Sequence, residues 1–224
     1  MEKQVAYLDN HPTVDLVSAG MQRFGASQEV MIRPSDIEDV KFNAMSHSPV
    51  LHASSVWRKD KFLNHNLFYR QEMVPVEDYD LWTRALAQGL VLVNTPDVLY
   101  LYRTHASQVT RVNKDWSVAK SIQSNYIKAI FPSATNDNVI GFSNLLRINN
   151  PKEVKRICQE LEKANEEVGF FNKDKLHTKL RRYYQTKLYN HMMSEKIEWK
   201  VIHELRVRQI VKLFKNKVFE RVSL

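Results

Sequence analysis

The chain of 224 residues contains one cysteine, Cys158, and only five glycines. A single cysteine cannot form a disulfide within the chain or a cysteine-based metal site, so the sequence is compatible with a reducing compartment. Cys158 shares helical spacing with Val154, Ile157 and Leu161, which indicates a small residue in a hydrophobic core. The scarcity of glycine excludes collagen-like and low-complexity sequences.

Long hydrophobic runs are also missing. The best candidate, residues 90–102, is interrupted by Asn94, Pro96 and Asp97, so it does not predict a membrane span. The first four residues, Met-Glu-Lys-Gln, lead into mixed polarity rather than into the apolar segment of a signal peptide. We therefore expect a cytoplasmic protein.

Acidic residues are few in the last part of the chain. Residues 173–221 contain 14 Lys and Arg but only 5 Asp and Glu. The remainder of the chain contains 19 Lys and Arg and 20 Asp and Glu, so the net charge of +8 comes from the C-terminal part. This asymmetry predicts an anionic partner, either membrane phospholipid or nucleic acid, for the C-terminal part. Basic helix faces would hold the protein as a peripheral protein against the inner face of a membrane, with a solvated face of a helical bundle as the alternative.

The first half of the chain has the pattern of a mixed α/β structure. The predicted elements are a helix over residues 1–10, a hairpin of strands 14–21 and 29–33 around Gly25, a helix opened by a Ser35–Glu38 capping box, a buried strand over 49–57, a helical turn over 58–63, and strands 90–94 and 98–103.

The second half is predicted to be helical, with helices over residues 116–131, 150–168, 172–194 and 197–222. The clearest start is Asn150-Pro151, followed by Glu153 at the third helical position, and Gly169 ends the same helix. The change of pattern near Val112 predicts one domain over 1–112 and a basic helical region over 113–224.

Two adjacent acids, Glu77 and Asp78, lie between an extended segment with Pro75 and a short amphipathic helix that ends at Gly89. A helix N-terminus favours negative charge, so a carboxylate there should stay ionised near neutral pH, as a general base requires. Capping is the more common role for such acids, and catalysis is the alternative.

Three motifs follow one another in the first half of the chain: the stretch from Ser48 to Lys59, Glu-Asp-Tyr-Asp-Leu-Trp at 77–82 and Tyr-Arg-x-His at 102–105. Their order resembles the acceptor-side half of family 2 glycosyltransferases, which are inverting enzymes of the GT-A fold. The resemblance covers residues 1–110. It implies an α/β fold: an incomplete GT-A-like mixed sheet with flanking helices, followed by an all-helical C-terminal region.

The resemblance implies a role for the acidic pair and the residues around it. Asp78 would be the general base, which takes the proton from an acceptor hydroxyl, and Glu77 would orient the site or bind acceptor hydroxyls. Trp82 would stack on a sugar face, with a core aromatic as the alternative. His52 would contact the acceptor, with a core histidine as the alternative.

On the donor side, the resemblance implies a nucleotide-sugar donor and a divalent metal, Mg²⁺ or Mn²⁺. Arg103 and Ser107 would lie near the donor diphosphate. His105 would complete the metal shell, with an ordinary surface histidine as the alternative. The acceptor would be a glycan or a lipid-linked sugar at the cytoplasmic face of the membrane.

One departure from the family pattern is large, because no nucleotide-binding half with an Asp-x-Asp metal motif precedes Gln4. Asp78-Tyr79-Asp80 has the spacing but lies in the wrong element. We therefore expect a C-terminal portion that is inactive alone and needs the N-terminal half or a second copy of the chain to complete it.

Two other functions remain open on the sequence. The basic helices would bind nucleic acid through Tyr183, Tyr184 and Tyr189 between lysines and arginines, although no helix-turn-helix, zinc or RNA-recognition signature supports this. Alternatively, the chain would be a non-catalytic partner that stabilises another transferase.

Overall fold

A four-stranded mixed sheet forms the centre of the computed structural model, which describes residues 1–105 and 116–194. Its strands are β1 (Leu16–Gly25), β2 (Val30–Met31), β3 (Ser55–Trp57) and β4 (Leu92–Thr104). β1 pairs antiparallel with β2 and β3 and parallel with β4. All three of the other strands in this sheet are therefore hydrogen-bonded to β1.

Helices flank this sheet and make up the described residues after position 116. They are α1 (Glu2–Asn10), α2 (Ile37–Asn43), α3 (Lys59–Asn64), α4 (Glu77–Ala87), α5 (Ser117–Ile130), α6 (Asn136–Asn144), α7 (Pro151–Val168) and α8 (Lys173–Ser194), with short 3₁₀ turns at His52–Ser54, Gln71–Met73 and Leu145–Arg147. The mixed α/β prediction is confirmed, whereas the predicted helix over 197–222 lies outside the described residues.

The predicted hairpin is confirmed, with Gly25 at φ +88° beyond the end of its paired residues. The prediction of two strands between residues 90 and 103 is wrong, because β4 is continuous. Pro96 lies where the β1–β4 register shifts between Ser18 and Gly20, so its missing N–H falls at an irregularity in the ladder.

The predicted long strand over residues 49–57 is also wrong, since only its last three residues form a strand. The segment before them is fixed to β1 by side chains instead of a ladder. The Ser18 hydroxyl donates to the Leu51 carbonyl and accepts from the Leu51 N–H, both at 3.1 Å. The Ser54 hydroxyl donates to the Ala19 carbonyl at 2.5 Å. These bonds position the 3₁₀ turn that carries His52.

Helix caps agree with the sequence at one helix and differ at another. Asn150 accepts from the N–H groups of Lys152 and Glu153 at the start of α7, as predicted. At α2 the predicted capping box is wrong, because Asp36 rather than Ser35 accepts from the Glu38 N–H at 2.8 Å. α6 was not predicted from the sequence, and Thr135 caps it by accepting from the N–H of residue 138.

A continuous hydrophobic core joins the sheet to the later helices. Leu16, Leu92 and Trp82 pack in the same cluster as Ile127 of α5 and Leu161 of α7. Cys158 belongs to this core, as predicted, and burial raises the pKa of its thiol to about 12. The predicted boundary near residue 112 lies outside the described residues and stays a prediction.

Ion pairs add a polar contact between α2 and α8. Lys175 contacts Asp36 at 2.7 Å, and Lys179 contacts Asp39. Part of the basic charge of α8 therefore serves internal packing. None of the described helices is both long and apolar enough to cross a membrane.

The Ser18 hydroxyl gives a first prediction. Substitution Ser18→Ala leaves the buried Leu51 N–H without the hydroxyl that it now contacts, which should cost about 1–3 kcal/mol of unfolding free energy. Urea unfolding measures the loss. Ser121→Ala, on the exposed side of α5, is the matched control and should change stability by less than about 0.5 kcal/mol. Equal effects of the two substitutions would contradict the anchoring role.

Candidate active site

The two adjacent acids occupy the first turn of α4. Glu77 is its first residue, and Val76 precedes it without a side-chain cap. The Asp78 carboxylate accepts from the Tyr79 N–H at 2.7 Å and is partly buried. The predicted position of the pair at a helix N-terminus is confirmed, and Asp78 uses one of the N–H groups that this end leaves free.

Aromatic side chains surround this turn. The His52 ring lies 5.8 Å from the Tyr69 ring and 5.9 Å from the Trp82 ring, measured between centroids. Burial, then the charges of Asp78 and Glu77, raise the pKa of the Tyr69 phenol. We call Glu77, Asp78, His52 and Tyr69 the acidic corner. Three of these four residues are sequence candidates, and the structure brings them together.

The electrostatic environment of Asp78 differs from that of a simple helix cap. Burial raises the pKa of its carboxyl, and the charge of Glu77 adds to the rise. The hydrogen bond from Tyr79 and the charge of His52 act in the opposite direction, but burial is the largest effect. The result is a carboxylate that is more basic than an exposed aspartate, which suits proton acceptance.

Glu77 and His52 differ in solvent exposure. Glu77 is half-buried, and its Oε2 atom is buried without a hydrogen-bond partner among the described residues. His52 is exposed, so it is not a core histidine. The corner therefore places a half-buried carboxylate and an exposed imidazole next to Asp78.

Trp82 is the candidate whose surroundings favour the alternative role. Its side chain is 0% exposed and packs against Trp57 at 5.5 Å and Phe62 at 6.1 Å between ring centroids. Stacking on a sugar requires an exposed ring face, which Trp82 lacks, so the structure corrects that prediction in favour of a core aromatic. The Trp82 indole packs beneath the ring of His52, on the core side of the acidic corner.

A third acid of the same stretch, Asp80, has a structural role. It is 4% exposed and forms an ion pair with Arg84 at 2.7 Å and a longer one with Arg70 at 3.8 Å. Arg84 also donates to the Phe68 carbonyl at 2.6 Å. Through these contacts Asp80 holds the loop that carries Tyr69. The four-residue spacing of Asp80 and Arg84 was the available sequence signal.

The donor-side candidates lie elsewhere on the sheet. Arg103 is exposed near the end of β4 and pairs in register with Phe24, six positions along β1 from Ser18, a separation of roughly 20 Å along the strand. His105 is exposed directly after β4, and Ser107 lies outside the described residues. The strand register therefore does not place Arg103 at the acidic corner.

No group of three His, Cys, Asp or Glu side chains suitable for a metal ion is found in residues 1–105 and 116–194. The described residues thus do not fit the expected Mg²⁺ or Mn²⁺ site by themselves. The role of His105 as a metal ligand stays a prediction.

The aromatic residues proposed for nucleic-acid stacking are used within the fold. The Tyr183 hydroxyl donates to the Leu145 carbonyl at 2.7 Å, and the Lys187 ammonium lies 5.4 Å from its ring centroid. Tyr183 and Tyr184 also pack against the main core. Two of the three tyrosines, Tyr183 and Tyr184, are therefore partly used in packing, and the nucleic-acid alternative stays a prediction.

Two glycosyltransferases are similar to the chain in sequence. The amylovoran biosynthesis glycosyltransferase AmsE of Erwinia amylovora is 31% identical over 122 residues, which are 54% of this chain and 45% of that protein. An uncharacterized glycosyltransferase of Haemophilus influenzae is 26% identical over 114 residues, 49% of this chain and 41% of that protein. The chain is thus homologous to glycosyltransferases over about half its length and spans less than half of theirs.

The other comparisons add little. No protein-family model matches the chain. The crystal structure of S. aureus TarS 1-349 in complex with UDP aligns with 89% of this chain and 63% of that chain at 11% identity. Its TM-score of 0.42 is too low to carry an argument about fold or ligand.

The raised pKa of Asp78 predicts a pH-dependent effect on stability. An acid whose pKa is higher in the folded chain stabilises the fold fully below its unfolded pKa of about 3.9, and this stabilisation is lost as the pH rises through the folded pKa. Asparagine is neutral and retains the acceptor for Tyr79. Asp78→Asn should therefore increase the unfolding free energy near pH 7, and the gain should shrink toward about pH 4. Urea unfolding across this range measures it, and a gain independent of pH would contradict the burial argument.

The Asp80 ion pair predicts a loss of stability. Asp80→Asn leaves Arg84 without its buried partner, which should cost on the order of 3 kcal/mol of unfolding free energy. Asp97→Asn is the matched control, because the Asp97–Lys3 pair is exposed at 3.5 Å and should contribute less than about 1 kcal/mol. Urea unfolding compares the two variants. Similar small losses in both would show that Asp80 does not hold the loop.

Proposed function

We propose that the chain carries the acceptor side of an inverting, family 2-like glycosyltransferase of the GT-A type, with Asp78 as the general base. The observation that carries this proposal is the partly buried Asp78, with a raised pKa, beside the exposed His52 and Tyr69. Homology to glycosyltransferases supports the same reaction class. The substrates would be a nucleotide sugar and a glycan or lipid-linked acceptor.

The chemistry requires one well-placed carboxylate. In an inverting transfer, the acceptor hydroxyl forms a bond to the anomeric carbon while the bond from that carbon to the nucleoside diphosphate breaks. A hydroxyl is a weak nucleophile, so its proton passes to Asp78 in the transition state. A carboxylate made more basic by burial accepts this proton better than an exposed one.

The rest of the acidic corner would orient the acceptor. The half-buried Glu77 carboxylate would accept a hydrogen bond from a second acceptor hydroxyl. The exposed imidazole of His52 can donate or accept a further bond. Two such contacts would hold the reacting hydroxyl against Asp78.

The donor side of the proposal depends on residues beyond the acidic corner. Arg103 and Ser107 would contact the diphosphate, and a divalent metal with His105 as one ligand would neutralise its charge. The nucleotide-binding strands would come from an N-terminal half or a second copy of the chain. The open second edge of β3, which has no strand partner among the described residues, offers a place for them.

We also propose a peripheral position at the inner face of the membrane, where a lipid-linked acceptor for cell-surface polysaccharide would be used. The name of the Erwinia amylovora relative refers to amylovoran biosynthesis. Arg181 is exposed on α8 and would face anionic lipid, whereas Lys175 and Lys179 pair with acids of α2.

Removal of the base tests the function. In the gene product as its natural host expresses it, Asp78→Asn should lower kcat by about 10²-fold or more, because a general base contributes about that much. A coupled assay of nucleoside diphosphate release measures the rate. Asp60→Asn, an exposed acid of α3, is the matched control and should keep the full rate.

The outcome separates the enzyme from the non-catalytic alternative. An Asp78→Asn variant that folds and keeps the rate of the parent protein would refute the general-base role. A parent protein that turns over no nucleotide sugar would favour the reading of the chain as a partner of another transferase.

A further inference from the structure

We propose that the loop over residues 68–74 is a sugar-binding platform on which the ring of Tyr69 stacks against a pyranose acceptor. The inference rests on the proposed function for the identity of the sugar as the acceptor. It assigns a substrate contact to a residue that the sequence motifs do not mark, and it replaces the stacking role that the buried Trp82 cannot perform.

Exposure is the first observation that carries this proposal. Phe68 is 56% exposed, Tyr69 46% and Val74 50%, although all three are large and apolar or aromatic. Single exposed hydrophobic residues are common on protein surfaces, whereas a group of them beside a partly buried carboxylate is typical of a binding surface. The loop directly precedes α4, so the group adjoins the acidic corner in the chain.

Contact with the acidic corner is the second observation. The Tyr69 and His52 rings are nearly perpendicular, with an interplanar angle of 86° and 5.8 Å between their centroids. The charges of Asp78 and Glu77 also act on the Tyr69 phenol. A ligand that lies on Tyr69 is therefore within reach of the groups proposed to bind and deprotonate an acceptor hydroxyl.

The chemistry of the two surfaces is complementary. The face of an aromatic ring is electron-rich, and the C–H groups on one face of a pyranose present partial positive charge to it. The equatorial hydroxyls then lie around the rim of the sugar ring, where carboxylate and imidazole groups beside the aromatic ring can bind them. An aromatic surface beside Glu77 and Asp78 thus fits a pyranoside better than a flexible, acyclic alcohol.

The loop is held in place before any ligand binds. Arg84 donates to the Phe68 carbonyl at 2.6 Å and contacts Asp80 at 2.7 Å. Arg70 also approaches Asp80, at 3.8 Å. The Phe68 contact fixes the backbone directly before Tyr69, and the Arg70 side chain adds a longer contact directly after it, so less conformational entropy is lost when a sugar binds.

The test measures sugar binding rather than turnover. Saturation-transfer NMR of the 224-residue chain would use methyl β-D-glucopyranoside, methyl β-D-galactopyranoside and methyl α-D-mannopyranoside as probes. At least one should receive saturation on its ring protons. Tyr69→Ala should reduce that signal about fivefold or more, while Tyr69→Phe and Tyr69→Trp should keep it, because the ring face makes the contact.

A matched control and three results decide the case. Tyr100→Ala removes a tyrosine of β4 that is 40% exposed, and it should leave the signal unchanged. The platform is refuted if the parent chain binds none of the three probes, if Tyr69→Ala binds like the parent, or if Tyr69→Phe loses as much as Tyr69→Ala. Thermal unfolding confirms that each variant folds.

The same experiment separates this inference from the general-base proposal. Sugar binding in Tyr69→Ala reports on the platform, whereas turnover in Asp78→Asn reports on the base. Loss of binding in Tyr69→Ala together with full turnover in Asp78→Asn would refute the general-base role of Asp78 and support the sugar-binding platform. Full binding in Tyr69→Ala together with lost turnover in Asp78→Asn would refute the platform and leave the base.

Discussion

The candidate site depends on the packing of the buried Trp82 side chain. Its indole lies against Trp57 of β3, Phe62 of α3 and His52 of the 3₁₀ turn, so one side chain connects three elements to α4. Asp78 lies one helical turn before Trp82 and is positioned by the same contacts. The fully buried Trp82 side chain thus holds the acidic corner in place from the side of the hydrophobic core.

Two aspartates separated by one residue have different roles because their surroundings differ. Asp80 is neutralised by Arg84 and uses its charge to hold the Tyr69 loop. Asp78 has only a backbone N–H and the nearby His52 to favour its charged form, and burial outweighs both, which raises its pKa. The helix N-terminus alone would have had the opposite effect on Asp78, so the depth of the site decides the direction.

Much of the fold could be predicted from local signals, because helix caps and helical periodicity depend on residues that are close in sequence. This holds for α4, α7 and the hairpin at Gly25. The segment before β3 could not be predicted, since its shape depends on hydrogen bonds from Ser18. Tyr69 was missed for a similar reason: its position is set by the Asp80–Arg84 pair, which becomes meaningful only when α4 packs beside the loop.

The most direct test of this account is the pKa of the Asp78 carboxyl, measured by carbon-detected NMR titration and assigned with Asp78→Asn. Burial at the start of α4 predicts a value above the usual pKa of about 3.9 for an aspartate. A value at or below about 3.9 would mean that the helix N-terminus and His52 dominate. Asp78 would then be an ordinary capping acid, and the proposal that it accepts a proton from a sugar hydroxyl would lose its physical basis.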